Sequence, residues 1–351
     1  MISLPAPQRA FASDNAAGVH PLVMAALAEA NSGHALAYGS DRWTEETQQR
    51  MRDLFGARTQ SFLVWGGTGA NVMALASMLG PAQAVLCTNW SHINVDETGA
   101  PERILGAKLI DIPCADGKLV PAQLEDQAHA IGVMHHAQPG VVSITQSTEL
   151  GTAYSADEVA ALCDTAHGLG MSVHMDGARL ANAVAAAGGT RDALRAMTVD
   201  AGVDVLTFGA TKNGMMYGEA VVYLNERFAG VAPFVRKQVT QLPSKMRFVA
   251  AQFNALLHDD LWLSLAAHSN GMAQRLYEQT RTVARVVYDA PPAVNAVFPH
   301  LPAEAIAELR DWCFFWDWDL TSQQVRWMTA WDTTEADVDQ FAAGVQQLLG
   351  T

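Results

Sequence analysis

The chain has 351 residues, half of them hydrophobic and 17% charged, a balance that excludes a disordered polymer and is long enough for one large domain with a smaller one. Acidic residues outnumber basic ones 36 to 22, giving a formal charge of −14; such a surface repels phosphate backbones, so nucleic acid is not expected as a partner. The four cysteines, Cys87, Cys114, Cys163 and Cys313, form no CxxC pair and no metal-ligand spacing, so reduced thiols and no metal site are expected.

The opening MISLPAPQRAF lacks the basic and then apolar regions of a signal peptide. No apolar run approaches the ~20 residues of a membrane helix. A soluble, cytoplasmic protein without membrane contact is expected. Residues 1–20 read as a segment that packs on either domain. Residues 21–248 read as the large domain and 249–351 as a small C-terminal one.

From Ser61 to Leu224 short apolar runs alternate with amphipathic stretches: SFLVW, AVLCT, AKLIDI, VVSIT, SVHMD, DVLTF and AVVYL. Helical patterns lie between several of them, at Asn71–Leu79, Asp157–Leu169 and Asp192–Met197. This alternation predicts an α/β fold, with a mostly parallel seven-stranded sheet covered by helices on both faces. Residues 249–288 read as long helices. Strand-like runs follow at CFFWDW (313–318) and VRWMTAW (325–331), then a closing helix from Glu335 to Leu348 that starts at Thr334. The last third is thus a smaller α+β domain.

Ligands of an open parallel sheet bind at the carboxyl ends of its strands. WGGTGAN (65–71) follows one strand and opens a helix, as a backbone cradle for a phosphate would; an ordinary glycine turn is the alternative. SHINVDE (91–97) brings His92 to the same edge, where it would stack on a flat ring or stand as a loop histidine. HMDGAR (174–179) ends a strand at Asp176 and adds Arg179. These two could form an ion pair, or could separately hold a ring nitrogen and a carboxylate. FGATKNG (208–214) places Lys212 after the next strand, as a surface lysine or as an amine with a lowered pKa, suited to a Schiff base. Lysine, carboxylate and phosphate loop are the three grips that pyridoxal 5′-phosphate needs.

Together with FASDN (11–15), AYGSD (37–41) and VRWMT (325–329), these motifs resemble the low-specificity L-threonine aldolases, within the β-eliminating lyases of the aspartate-aminotransferase fold, fold type I. The resemblance covers nearly the whole chain. It implies reversible cleavage of L-threonine, L-allo-threonine and related β-hydroxy-α-amino acids such as phenylserine to glycine and an aldehyde. It implies that Lys212 holds the cofactor covalently, Asp176 pairs with its ring nitrogen, Gly67 and Thr68 bind its phosphate and His92 stacks on its ring. It implies that Ser13, Arg179 and Arg326 hold the substrate carboxylate, Arg179 lying close to the cofactor as well. His135 aligns with a histidine near the substrate hydroxyl, so His92 or His135 is the expected base. Arg247 looks like the residue that reaches a neighbouring subunit's phosphate. A homo-oligomer, dimer or tetramer, with active sites at the subunit interface follows from the same likeness. Three departures stand out: Gly66 where serine is common, Asn15 where threonine is usual, and ITQSTELGT (144–152) in place of an ENTHN-type stretch. The rival readings are another pyridoxal-phosphate lyase or aminotransferase of the same fold, and a phosphate-binding protein without chemistry.

Overall fold

The structure is a computed structural model and describes residues 2–350. Each apolar run of the central region overlaps one strand of a large sheet. These are β1 (Gln60–Val64), β2 (Gln83–Thr88), β3 (Lys108–Ile112), β4 (Gln138–Thr145), β5 (Ser172–Gly177), β6 (Val205–Phe208) and β7 (Glu219–Tyr223). Their spatial order is β1-β7-β6-β5-β4-β2-β3. Pairing is parallel from β3 through β6, whereas β7 is antiparallel to both β6 and β1. β1 to β6 therefore point one way. Their carboxyl ends share one edge with the amino end of β7.

Apolar residues fill these strands continuously because both faces are covered. Leu63, Leu86, Val142, Ile144, Leu206 and Val222 face the larger core. Their neighbours Val64, Val85, Val141, Val205 and Val221 face a second layer with Met73 and Leu75 of the helix Gly67–Met78. Helix starts follow ordinary capping chemistry: Asp41 accepts from Thr44 N–H, and Ser155 and Glu158 close a reciprocal capping box.

A smaller antiparallel sheet lies in the last third: β8 (Val287–Tyr288), β9 (Ala296–Val297), β10 (Pro299–His300), β11 (Trp316–Asp319) and β12 (Gln324–Met328). Phe315, Trp327 and Phe341 centre its own apolar core. The long helices expected over 249–288 are Arg247–Leu256 and Leu261–Thr280, separated by a kink at Asp259 and Asp260, both at positive φ, and the second ends before β8. The helix Leu261–Thr280 starts only after this kink. The strand expected from Cys313 begins at Trp316, because the helix Ala303–Trp312 occupies the preceding residues. The closing helix Glu335–Leu349 starts at Thr334, whose hydroxyl accepts from Asp337 N–H.

Leu261–Thr280 ties the two cores together. Leu263, Leu265 and Ala266 belong to the larger one, and Met272, Ala273 and Leu276 to the other. The N-terminal segment does the same. Phe11 adds to the small sheet, donating to the Phe314 carbonyl (3.1 Å) and accepting from Met328 N–H (2.9 Å), while His20 N–H reaches the Gly214 carbonyl (2.9 Å). Between these anchors the chain passes over the carboxyl edge of the large sheet.

Candidate active site

Two glycines let neighbouring strand ends approach closely enough to form a site. A Cβ on Gly177 would sit 2.6 Å from the Thr207 carbonyl oxygen, and one on Gly209 would sit 2.6 Å from the backbone of Ala178. Asp176, at the end of β5, and Lys212, just past β6, are thereby held at the same edge. Asp176 is buried. Its Oδ1 accepts from Ala178 N–H (2.9 Å) and its Oδ2 from the Asn71 amide (2.8 Å).

Lys212 lies in a single turn, Thr211–Asn213. Its Nζ makes no hydrogen bond or ion pair among the described residues. Burial and the charge of Arg179 lower its pKa; Asp14, Asp176 and Glu219 oppose the shift. The neutral amine is thus favoured more than on an exposed lysine. Glu219, at the amino end of β7, is buried beneath this turn and accepts from Ala210 N–H (2.5 Å). Burial pushes its carboxyl up to about 7.

The glycine loop ends at Gly66, the N-cap of the helix Gly67–Met78, and no side chain caps that helix. The first helical bond runs from Ala70 N–H to the Gly66 carbonyl, so the N–H groups of Gly67, Thr68 and Gly69 have no helical acceptor. The space beside Gly66 and Gly67 is open; an added Cβ would touch nothing within 4 Å. Free donors at the positive end of a helix suit a phosphate. Gln241 flanks this loop, accepting from Trp65 N–H (3.1 Å) and packing where a Cβ on Gly69 would stand.

The cationic side is built by the N-terminal segment and β12. Arg179 donates from Nε (2.7 Å) and Nη2 (3.0 Å) to the two oxygens of Asp14, which also accepts from Asn295. Burial alone would raise the pKa of Asp14, but the charges of Arg179 and Lys212 and these hydrogen bonds bring it below the usual carboxylate range. Arg326 is different. Its Nη2 donates to the Ala12 carbonyl (3.3 Å) and its guanidinium lies 4.7 Å from the Trp318 ring centroid. Its buried Nε has no acceptor among the described residues. Burial and then the charge of Arg179 depress its pKa to about 10. Ser13 lies between Ala12 and Asp14, bound by one arginine each.

The acidic side begins at His92, after β2. Its Nδ1 is 2.9 Å from Oε1 of buried Glu97, and the same oxygen accepts from the Asn71 amide (2.9 Å) that also binds Asp176. The Glu97 hydrogen bond raises the pKa of His92, against the effect of burial. Beyond it, Glu149 accepts from His92 N–H (2.7 Å) and from the Thr145 hydroxyl (2.9 Å). Below Asp176, buried His174 sits between Ser143 and Thr207, and burial lowers its pKa to about 4.

Of the candidates chosen from sequence, Ser13, Gly67, Thr68, His92, Asp176, Arg179, Lys212 and Arg326 converge on this edge. His135 does not. It is exposed, and it precedes β4, whose first residue, Gln138, donates to the Ala82 carbonyl at the amino end of the sheet. The whole length of β4 separates it from the site, so its expected role beside the substrate hydroxyl is withdrawn. Arg247 is half-buried away from the loop, donating to the Gly33 carbonyl (3.1 Å) and lying over Trp43 and Phe248. Asp14, Asn71, Glu97 and Glu149 carry the site's hydrogen bonds, and sequence reasoning assigned them no role although FASDN, GGTGAN, SHINVDE and ITQSTELGT contain them.

The profile of the beta-eliminating lyase family matches residues 10–304. The low-specificity L-threonine aldolase of Pseudomonas sp. (strain NCIMB 10558) is 40% identical over 342 residues, covering 97% of each chain. That of Pseudomonas aeruginosa is 41% identical over 343 residues, covering 97% of this chain and 98% of the relative. Among solved structures, the threonine aldolase of Leishmania major superposes with a TM-score of 0.89 at 31% identity, over 97% of this chain and 99% of that one. The chain belongs to the beta-eliminating lyase family and, within it, to the low-specificity L-threonine aldolases.

Proposed function

We propose that the protein is an aldehyde-lyase that cleaves L-threonine, L-allo-threonine and other β-hydroxy-α-amino acids to glycine and an aldehyde, reversibly, with pyridoxal 5′-phosphate. The observation that carries this reading is the unpartnered Lys212 amine beside Asp176, at one sheet edge with a free helix N-terminus on one side and an unsatisfied arginine on the other.

The residues fit the cofactor. Gly67 and Thr68 would bind its phosphate through their N–H groups, Asp176 its ring nitrogen, Lys212 its carbonyl carbon, and His92 one face of its ring. When bound, the cofactor supplies an electron sink for the pair released at Cα. The chain supplies position. Arg326 offers Nε to the substrate carboxylate, and Arg179, held rigid by Asp14, adds charge next to it. Ser13 adds a hydroxyl. Fixing the carboxylate fixes which bond at Cα stands ready to break. The β-hydroxyl must lose its proton to a group at this edge, which leaves out His135.

A homo-oligomer with shared active sites fits the exposed Trp65, directly before the glycine loop, and the exposed Leu36 and Tyr38. Arg247, on the same side of the chain as Gly33, would reach a neighbour's phosphate in such an assembly. No helix among the described residues is long and apolar enough to cross a membrane.

The experiment is direct. The purified protein with pyridoxal phosphate and L-threonine should release acetaldehyde and glycine in equal amounts with no keto acid present. Turnover that requires a keto acid would favour an aminotransferase instead.

A further inference from the structure

Glu149 follows β4 on the loop that departs from the usual family stretch. Thr145, four residues earlier, is the sheet partner of Asp176. One carboxyl oxygen of Glu149 is saturated: Oε1 accepts from His92 N–H (2.7 Å) and from the Thr145 hydroxyl (2.9 Å). The other is not. Oε2 has almost no exposed surface and no hydrogen-bond partner among the described residues. A buried carboxyl oxygen in that state is costly, and it is satisfied by a proton, carried on itself or brought by a ligand. The ionisable groups around it are Asp176, His92, Arg179, Cys87, Cys114 and Tyr154. None of them makes an ion pair with it. Burial, and next the charge of Asp176, push the Glu149 carboxyl up to about 7.

His92 is poorly placed for the same task. Its Nδ1 is committed to Glu97, which favours the imidazolium, and an imidazolium holds a proton rather than taking one. A carboxyl that changes charge near neutrality both takes and returns protons. Resting on the aldolase reading above, we propose that Glu149 takes the β-hydroxyl proton in cleavage and gives it back in the addition direction. In cleavage the hydroxyl O–H bond breaks and its proton passes to Oε2. The oxygen's electron pair forms the carbonyl of the aldehyde. The Cα–Cβ pair stays with the glycine fragment, whose Cα then takes a proton originating from water. No oxidant or further reactant is needed.

The test compares the wild-type enzyme, loaded with pyridoxal phosphate, with Glu149→Gln, which keeps the shape and cannot ionise. Three readouts are taken: aldehyde release from L-threonine, exchange of the glycine α-proton with solvent, and an infrared pH titration of the carboxyl groups. The proposal expects cleavage in the variant to fall about 100-fold or more, and to fall further than α-proton exchange, which involves no hydroxyl. It also expects the protonated-carboxyl signal that titrates near pH 7, to which Glu219 contributes as well, to be smaller in the variant than in the wild type. Cleavage within about twofold of wild type overturns it, and so does an equal loss of cleavage and exchange, which marks a structural role. If the variant does not fold, the titration is made on Glu219→Gln, and the absence of a near-neutral carboxyl band there overturns the proposal. A wild-type protein that exchanges glycine protons but releases no aldehyde from any β-hydroxy amino acid overturns the aldolase reading itself, and this proposal with it.

Discussion

The two walls of the site solve the problem of buried charge in opposite ways. On the cationic wall Arg179 is neutralised inside the chain by Asp14, while Arg326 is left with a buried N–H and no acceptor. On the acidic wall Asp176, Glu97 and His92 are chained through one asparagine, and Glu149 keeps a free oxygen at the end. Each wall thus joins a hydrogen-bonded part to buried polar atoms without a partner among the described residues: Arg326 Nε and Asn295 Oδ1 on the cationic wall, and Glu149 Oε2, Glu97 Oε2 and Asn71 Oδ1 on the acidic one. Native interiors rarely leave such groups unmet. In the proposed reaction, Arg326 would meet the substrate carboxylate and Glu149 its hydroxyl.

That contrast can be broken group by group. Lys212→Ala stands between the walls and should abolish aldehyde release; threonine cleavage at the wild-type rate would remove the lysine from the chemistry. Asp176→Ala should retain some cofactor yet lose about 100-fold or more in kcat, the scale of one preorganised stabilising group; an unchanged kcat would end its role. Asp14→Ala strands a buried guanidinium and should cost about 3–5 kcal/mol in denaturant unfolding. Because Asp14 titrates below its unfolded value of 3.8, the pair's contribution is complete above that pH and is lost as pH falls through the lower folded value. Equal stability of variant and wild type at pH 7 would show that the pair is not structural. Arg326→Ala should raise KM for threonine by about 10- to 100-fold, the loss of one charged hydrogen bond, with stability little altered; an unaltered KM would take the carboxylate elsewhere. His135→Ala should change kcat/KM by less than about twofold, and a larger loss would contradict its place at the far edge.

Much of this was legible in the residues. Continuous apolar runs marked every strand of the large sheet, and the rule of carboxyl ends picked out Gly67, His92, Asp176 and Lys212. The same rule argues against His135, which precedes its strand and so lies at the opposite edge. The reversed direction of β7 was hidden, since apolar runs carry no sign of direction. The pair of Asp14 with Arg179 was hidden too, because 165 residues separate them and no periodicity links them. Glu149 was visible only as part of a stretch that departs from the usual family stretch. What one carboxyl does there depends on which of its oxygens finds a donor, and only three-dimensional contacts decide that.

The central claim is that Lys212 is the group that grips the cofactor. Its direct test is borohydride reduction of the protein incubated with pyridoxal phosphate, followed by peptide mass mapping. The expected result is a reduced pyridoxyl-phosphate adduct on the peptide containing Lys212, and on no other lysine at equal stoichiometry. Loss of the adduct when L-threonine or glycine is added before reduction should accompany it. An unmodified Lys212, or modification scattered over exposed lysines alone, would contradict the site described above.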